Sequence, residues 1–314
     1  MKKTITIQSP ATVANLVCGF DVLGMCLHAP YDTMQVSIIN EPKVIIKTTD
    51  NYPLPSDPMQ NTAGAPLVEM LQELNADFGF EVIITKNIKP GSGLGSSAAS
   101  AAGAVFAANY LLGNIFSKTD LVRFAMSGEK VASGVKHADN VAPCIYGGVT
   151  LIRSTAPLDI ICISSPKLFV TVVHPQIEVK TADARKILKK EVLLKDAIKQ
   201  WGNIAALVTG FLKNDYDLIS RSLEDVIIEP VRSILIPGFN DVKNKCKEAG
   251  ALGGGISGSG PSIFMFNRDE QTANTTKNIM QDVYTKLGVD YRCYVTTVNM
   301  EGVKVVSLPQ HRRR

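Results

Sequence analysis

Between residues 90 and 100 the sequence reads Pro90, Gly91, Ser92, Gly93, Leu94, Gly95, Ser96, Ser97, Ala98, Ala99 and Ser100, a run of glycine and serine that opens onto alanine-rich chain. Glycines let a backbone turn several N–H groups toward one point, and a helix that starts there directs its positive end at the same point. Serines add caps and hydroxyl donors. The chemistry is that of a phosphate cradle. A plain strand-to-helix turn would need one capping residue, and the pair Ser96 and Ser97 exceeds that need. No Gly-Lys-[Ser/Thr] closes the run, which excludes a Walker A loop, and the third glycine of a dinucleotide fingerprint is missing. A second glycine run, from Gly253 to Gly258, does satisfy G-x-G-x-x-G, but it follows a helix and leads into a strand, the reverse of a dinucleotide-binding turn.

Other residues carry chemistry at lower density. Asn15 and Asp21 lie in an otherwise small and apolar stretch from Ser9 to Asp21, Glu129 lies in a largely apolar helix, and His137, Asp139 and Asn140 follow that helix closely. Each has an ordinary alternative: Asn and Asp are common turn residues, and a single Glu on a helix is usually solvated or paired.

The elements that must position these groups follow from periodicity. Residues 4–7, 34–46 and 81–85 alternate or run β-branched and apolar, so the first third reads as sheet. The stretch Ser96 to Leu112 reads as a helix apolar nearly all round, buried on most faces and stopped by Gly113. A second helix, Leu121 to Ala132, starts behind the caps Thr119 and Asp120 and stops at Gly134. The turn chemistry of Ser154 to Pro157 marks a domain boundary, dividing the chain into 1–155 and 156–314. Beyond it the pattern predicts strand 168–174, helices 181–188, 195–214, 217–226 and 240–249, strand 262–266, helix 271–287 and strand 291–298. Strands and helices so distributed predict an α+β fold in both halves.

Three segments together, Ser9-Pro10-Ala11 after the first strand, Pro90 to Ala99, and Gly253 to Pro261, resemble the three motifs of the GHMP kinases in order and spacing over essentially the whole chain. Within that family, Ala11 to Leu16 with Gly19-Phe20-Asp21, and His137 to Pro143, resemble the substrate segments of the branch that phosphorylates homoserine. Thr181 to Arg185 and Glu229 to Arg232 resemble its remaining substrate contacts. The resemblance implies an N-terminal domain like ribosomal protein S5 domain 2, a ferredoxin-like C-terminal domain, and a site for ATP and L-homoserine between them. It implies magnesium held by Ser97 and Glu129, phosphates on the amides from Gly91 to Ser97, Asn61 and Thr62 bordering the adenine, and a homodimer. Several relatives place a carboxylate where it takes the hydroxyl proton, whereas the aligned position here is Asn140. The resemblance therefore implies that Asn140 orients the hydroxyl while the proton passes to the phosphate, with Asp139 as the adjacent candidate base. A zwitterionic amino acid suits the remaining residues: guanidinium groups at Arg185 and Arg232 for its carboxylate, Asp21 for its ammonium, and Asn15, His137 and Thr181 around it. Arginines on exposed helix faces are the ordinary alternative.

Composition narrows the class further. The 314 residues are 45% hydrophobic and 20% charged with a net charge of +4, which describes a globular protein without a nucleic-acid footprint; the basic end His311 to Arg314 reads as a solvated tail. No apolar run is long enough to span a bilayer, and no h-region follows Met1, so the expectation is a cytoplasmic protein with no membrane partner. The six cysteines are scattered without a C-x-x-C pair and read as reduced thiols. The competing readings are a GHMP kinase for another alcohol such as mevalonate or a sugar, a non-catalytic ligand sensor on the same fold, and a dinucleotide-dependent oxidoreductase. Mevalonate has no ammonium group, which would leave Asp21 without a partner, and a sensor would not need Ser97 with Glu129.

Overall fold

The computed structural model describes residues 3–307 apart from 50, 51, 53 and 180, and the side chains of residues 181–183 and 307 are outside the description. The chain opens with β1 (Thr4–Ala14), β2 (Leu23–Ile39) and β3 (Val44–Thr48), then α1 (Gly64–Glu73), β4 (Gly79–Thr85), α2 (Ser96–Leu111), α3 (Lys118–Ser133) and α4 (Val141–Tyr146). Strands β5 (Val149–Thr155) and β6 (Leu158–Ile163) follow as a hairpin. The second part consists of β7 (Phe169–Pro175), α5 (Thr181–Lys186), α6 (Leu194–Lys213), α7 (Tyr216–Ser222), α8 (Glu229–Arg232), α9 (Phe239–Glu248), β8 (Gly253–Ile256), β9 (Ile263–Asn267), α10 (Glu270–Leu287) and β10 (Tyr291–Thr297), before β11 (Lys304–Ser307).

Two sheets result. The first has seven strands, with β11-β1-β2-β4-β3 in order and the β5–β6 hairpin attached to β2; all its pairs are antiparallel except β3 with β4. The second has four antiparallel strands in the order β10-β7-β9-β8. Each is covered by helices, giving the α+β architecture expected. Helix α2 is the spine of the first half. Alanine, serine and glycine let it lie close to its neighbours, so twelve of its residues, from Ser96 to Asn109, are buried, as expected of a helix apolar all round.

Several expectations need adjustment. Ser9-Pro10-Ala11 is not a turn after the first strand but part of β1, where the register shifts between Pro10 and Thr12; proline, lacking an N–H, is tolerated at such an irregularity. The stretch 34–46 is two strands separated at residues 40–43. Helix α3 is capped by Ser117 rather than Thr119, through a capping box with Asp120, and Gly134 ends it in the left-handed conformation. Residues 154–157, expected to divide the chain, are the end of β5 and the two-residue turn into β6 inside the first sheet, and the chain passes to the second sheet at residues 164–168. Strand β8 falls on Gly253, Gly254 and Gly255, where side-chain pattern carries no strand signal. The tail 311–314 lies outside the described residues.

Candidate active site between the two sheets

One cavity of about 520 Å³ is lined by residues from both halves: Asn15, Phe20 and Asp21 beyond β1, the loop from Pro90 to Ser100, Glu129 and His137 to Asn140 from the first, and Arg185, Arg232 and Gly258 from the second. Its size suits a small-molecule site.

The loop wall is made of backbone. Gly95 caps α2 in the left-handed conformation at φ 65°, with no side-chain hydrogen bond to the helix N-terminus, so the first N–H groups of α2 have no protein cap and face the cavity end of the helix. A side chain at Gly95 would place its Cβ 2.0 Å from Thr12 Oγ1, which no relaxation of that packed contact accommodates. Gly91, Gly93, Gly95, Ser96, Ser97, Pro90 and Ser100 line the cavity, whereas Ser92, Leu94, Ala98 and Ala99 are buried behind it. The serines do not cap the helix as a sequence reading suggests. The Ser96 hydroxyl donates to the Ile88 carbonyl at 2.8 Å and that of Ser100 to Ser96 at 3.2 Å. The third glycine segment holds the loop from the other half. Ser257 Oγ donates to the Gly93 carbonyl at 2.7 Å and Ser262 Oγ to the Ser92 carbonyl at 2.6 Å.

Below the loop, Lys86 is buried in an ion pair with Asp32 and donates to the Ser96 carbonyl at 2.9 Å and to Ser100 Oγ at 3.1 Å. It lines the cavity, and no sequence signal singled it out.

The opposite wall is made of charged side chains. Arg185 Nη2 reaches both carboxylate oxygens of Asp21 at 2.9 Å, and His137 Nδ1 is 3.8 Å from Asp21 Oδ1. Arg232 is buried; its Nε donates to the Ala184 carbonyl and its Nη1 to the Gly258 carbonyl, each at 3.1 Å. Asn15 donates to the same Gly258 carbonyl at 2.9 Å and accepts from the Asp21 N–H at 3.0 Å. Phe20 lies beneath both guanidinium groups, 5.6 Å from that of Arg185 and 4.9 Å from that of Arg232. The arginines are thus gathered into the site and not displayed on helix faces. Phe20 belongs to the quoted segment, but an aromatic there reads first as core. The side chain of Thr181 lies outside the described residues.

Between the walls are three polar residues of α3 and the loop after it. Asn140 Oδ1 accepts from Thr12 Oγ1 at 2.7 Å. Glu129 is buried, and burial raises its carboxyl to about 7 against a small opposing effect from the Ser97 hydroxyl; its Oε1 has no hydrogen-bond partner. Burial, then the charges of Asp21 and Glu129, raise Asp139 to about 7 as well. Burial holds His137 below its ordinary range despite the pull of Asp21, with Arg185 and Arg232 adding to the depression, and its Nε2 is buried without a partner. Burial likewise lowers Arg232, against the pull of Asp21. A buried, unpartnered carboxylate oxygen beside a serine hydroxyl at the mouth of a phosphate-type loop is a donor set that fits a hard divalent cation, which takes few protein oxygens and keeps its waters.

Asn61 is placed differently from its expected role. Its Oδ1 accepts from the N–H groups of Ala63 and Gly64, and its Nδ2 donates to the Pro55 carbonyl, so its side chain is engaged in the turn leading into α1. Its neighbours Thr62 and Leu54 line the cavity instead.

Comparison with known proteins gives the same picture. The family model "GHMP kinases N terminal domain" matches residues 61–148, and "GHMP kinases C terminal" matches residues 205–286. The chain is 46% identical to a homoserine kinase of Chloroherpeton thalassium over 97% of this chain and 100% of the relative. It is 44% identical to that of Chlorobium phaeobacteroides, again over 97% and 100%. A crystal structure of homoserine kinase from Cytophaga hutchinsonii superposes with a TM-score of 0.93 at 47% identity, covering 98% of each chain. With the loop, the three motifs and the full-length match agreeing, the chain belongs to the GHMP kinase family, in its homoserine kinase branch.

Proposed function

We infer that this protein transfers the γ-phosphate of ATP to the side-chain hydroxyl of L-homoserine, giving O-phospho-L-homoserine, a step toward threonine. The observation that carries the substrate is the pairing of opposite charges on one wall. Arg185 and Arg232 offer two guanidinium groups to a carboxylate, Asp21 offers a carboxylate to an ammonium, and all three line a cavity whose other wall is the open N-terminus of α2. Within the chain Asp21 and Arg185 pair with each other. A zwitterion replaces that contact with one for each of its ends, and mevalonate, without a cation, would leave Asp21 without its new partner.

The loop amides from Gly91 to Ser97 would carry the phosphates, with the helix end of α2 beneath them. Ser97 and Glu129 are the residues that would hold magnesium, which when bound offsets phosphate charge during transfer. Asn140 presents its oxygen to Thr12, so its amide nitrogen is the group left for the cavity. An amide so held orients the homoserine hydroxyl and takes no proton; the proton passes to the transferred phosphate. Neutral His137 and Asn15 complete the amino-acid side by hydrogen bonding.

The compartment proposed is the cytoplasm, supported by six cysteines that are all unpaired. Among the described residues no helix is long and apolar enough to cross a membrane. The working unit proposed is a homodimer, with ATP and L-homoserine as partners and neither nucleic acid nor membrane.

The test is coupled ADP release with magnesium and ATP against L-homoserine, L-serine, L-threonine, mevalonate and galactose. A strong preference for L-homoserine is expected. Turnover of mevalonate or galactose in its place would overturn the substrate assignment while keeping phosphoryl transfer.

A further inference from the structure

Helix α6 has more apolar surface than its own fold uses. Its inner face buries Ala197, Leu207 and Phe211 against the core, with Ile204 partly buried beside them. About 100° further round, at 3.6 residues per turn, runs a second line: Leu194, Ile198, Trp201, Ala205, Val208 and Leu212. Of these Leu194 is 67% exposed, Ile198 57%, Trp201 59% and Leu212 56%; Ala205 is exposed and Val208 half-buried. Trp201 is the only tryptophan of the chain. A helix apolar over so wide an arc is covered on both faces in the molecule that functions.

The spacing says by what. The steps 4, 3, 4, 3, 4 between these positions are those of a helix–helix seam, and they read the same in both directions about residue 203. Laid antiparallel on itself across a two-fold axis there, the line matches Leu194 with Leu212, Ile198 with Val208 and Trp201 with Ala205, a large side chain facing a small one. Charge is neutral to the orientation: at the leading end Lys189, Lys190 and Lys195 outnumber Glu191, while at the trailing end Asp217 is already paired with Arg268, so the palindromic spacing and the large-on-small match carry the antiparallel geometry. Gly202 supplies a further sign. A Cβ there would meet nothing within 4 Å, so no contact among the described residues calls for a glycine that weakens the helix by about 1 kcal/mol relative to alanine. It borders Trp201 and leaves room for the aromatic ring of a second copy.

We infer that this outer face of α6 is where two copies of the chain pair, antiparallel about a two-fold axis near residue 203, with Trp201 of each seated on Ala205 of the other. With Ile187, Val192 and Leu193 beside the line, the exposed apolar side chains offer on the order of 700 Å², against about 800 Å² per partner in a stable interface. This rests on the homodimer reading above and gives it a surface and a geometry.

The test is sedimentation equilibrium across a dilution series, with the emission of Trp201 read on the same samples. The wild type is expected to be a dimer whose emission shifts to the red as it dissociates. Trp201→Ala is expected to raise the dimer dissociation constant by about 30-fold or more, with an unchanged circular dichroism spectrum, since the residue is exposed in the single chain. Trp201→Glu and Ala205→Lys are each expected to give monomers, and the double variant, which places Glu opposite Lys twice, to recover the dimer. A wild type that is monomeric at micromolar concentration overturns both the homodimer and its surface. A dimer indifferent to Trp201→Glu, or one in which Trp201 emits as a solvated residue, overturns the surface alone. A double variant that stays monomeric overturns the antiparallel geometry.

Discussion

The two walls of the cavity solve their recognition problems with opposite materials. The wall proposed for phosphates is one contiguous stretch, residues 90–100, whose groups are mostly backbone amides and small side chains fixed by glycine conformations. The wall proposed for the amino acid is gathered from positions 15, 21, 137, 185 and 232, and its groups are long or charged side chains held by one another and by the Gly258 carbonyl. The ligand-facing groups of the first wall come from one short stretch, although Ser257 and Ser262 of the other half hold that stretch in place. Recognition by distant side chains can be retuned one residue at a time but exists only in the folded protein.

The largest effect separating the walls is expected from Arg232→Met. Removing a buried cation should lower kcat/KM for L-homoserine by about 100- to 1000-fold, while the KM for ATP stays within about threefold; equal losses for both ligands would break the division. Glu129 gives the next effect, on the phosphate side. Its carboxyl titrates near 7 in the folded chain against an ordinary 4.5, so the folded state holds an extra proton between those values. Its neutral form is therefore fully accommodated below about pH 4.5, and stability falls as pH rises to about 7. Ligand-free Glu129→Gln should gain on the wild type by on the order of 3 kcal/mol between pH 4 and pH 8 in denaturant unfolding; a constant difference across that range would refute the burial account. Asn140→Ala, at the junction of the walls, should lower kcat about 10- to 100-fold with little change in either KM, whereas Asp139→Asn should act on stability and keep the acidic limb of the pH–rate profile. Loss of that limb in Asp139→Asn alone would make Asp139 the base. The smallest effect is expected of Thr12→Val, which removes one hydrogen bond to Asn140 and should lower kcat about 5-fold; Thr12→Ser should restore it.

The same contrast explains what could be read from the sequence. The loop was legible because its chemistry and its spacing are local, and the helix behind it because its alanines are. The wall of Asp21, Arg185 and Arg232 was legible only through resemblance: nothing local distinguishes Arg185 or Arg232 from surface arginines. Lys86 and Phe20 escaped because each looks like ordinary strand-end or core material until the fold brings Ser96, Ser100 or the two guanidinium groups against it. Asn61 shows that an amide next to a site can have its side chain engaged in its own turn. Among the elements, β8 was hidden by three glycines and the β5–β6 hairpin by turn residues that look the same within a sheet as between domains.

Strand β11 pairs with β1, so the chain leaves the seven-stranded sheet after β6 and comes back to it at Lys304–Ser307. Topologically, the four-stranded part is a loop sewn in at both ends. A single cut in either connection would leave it fastened to the first sheet by the other.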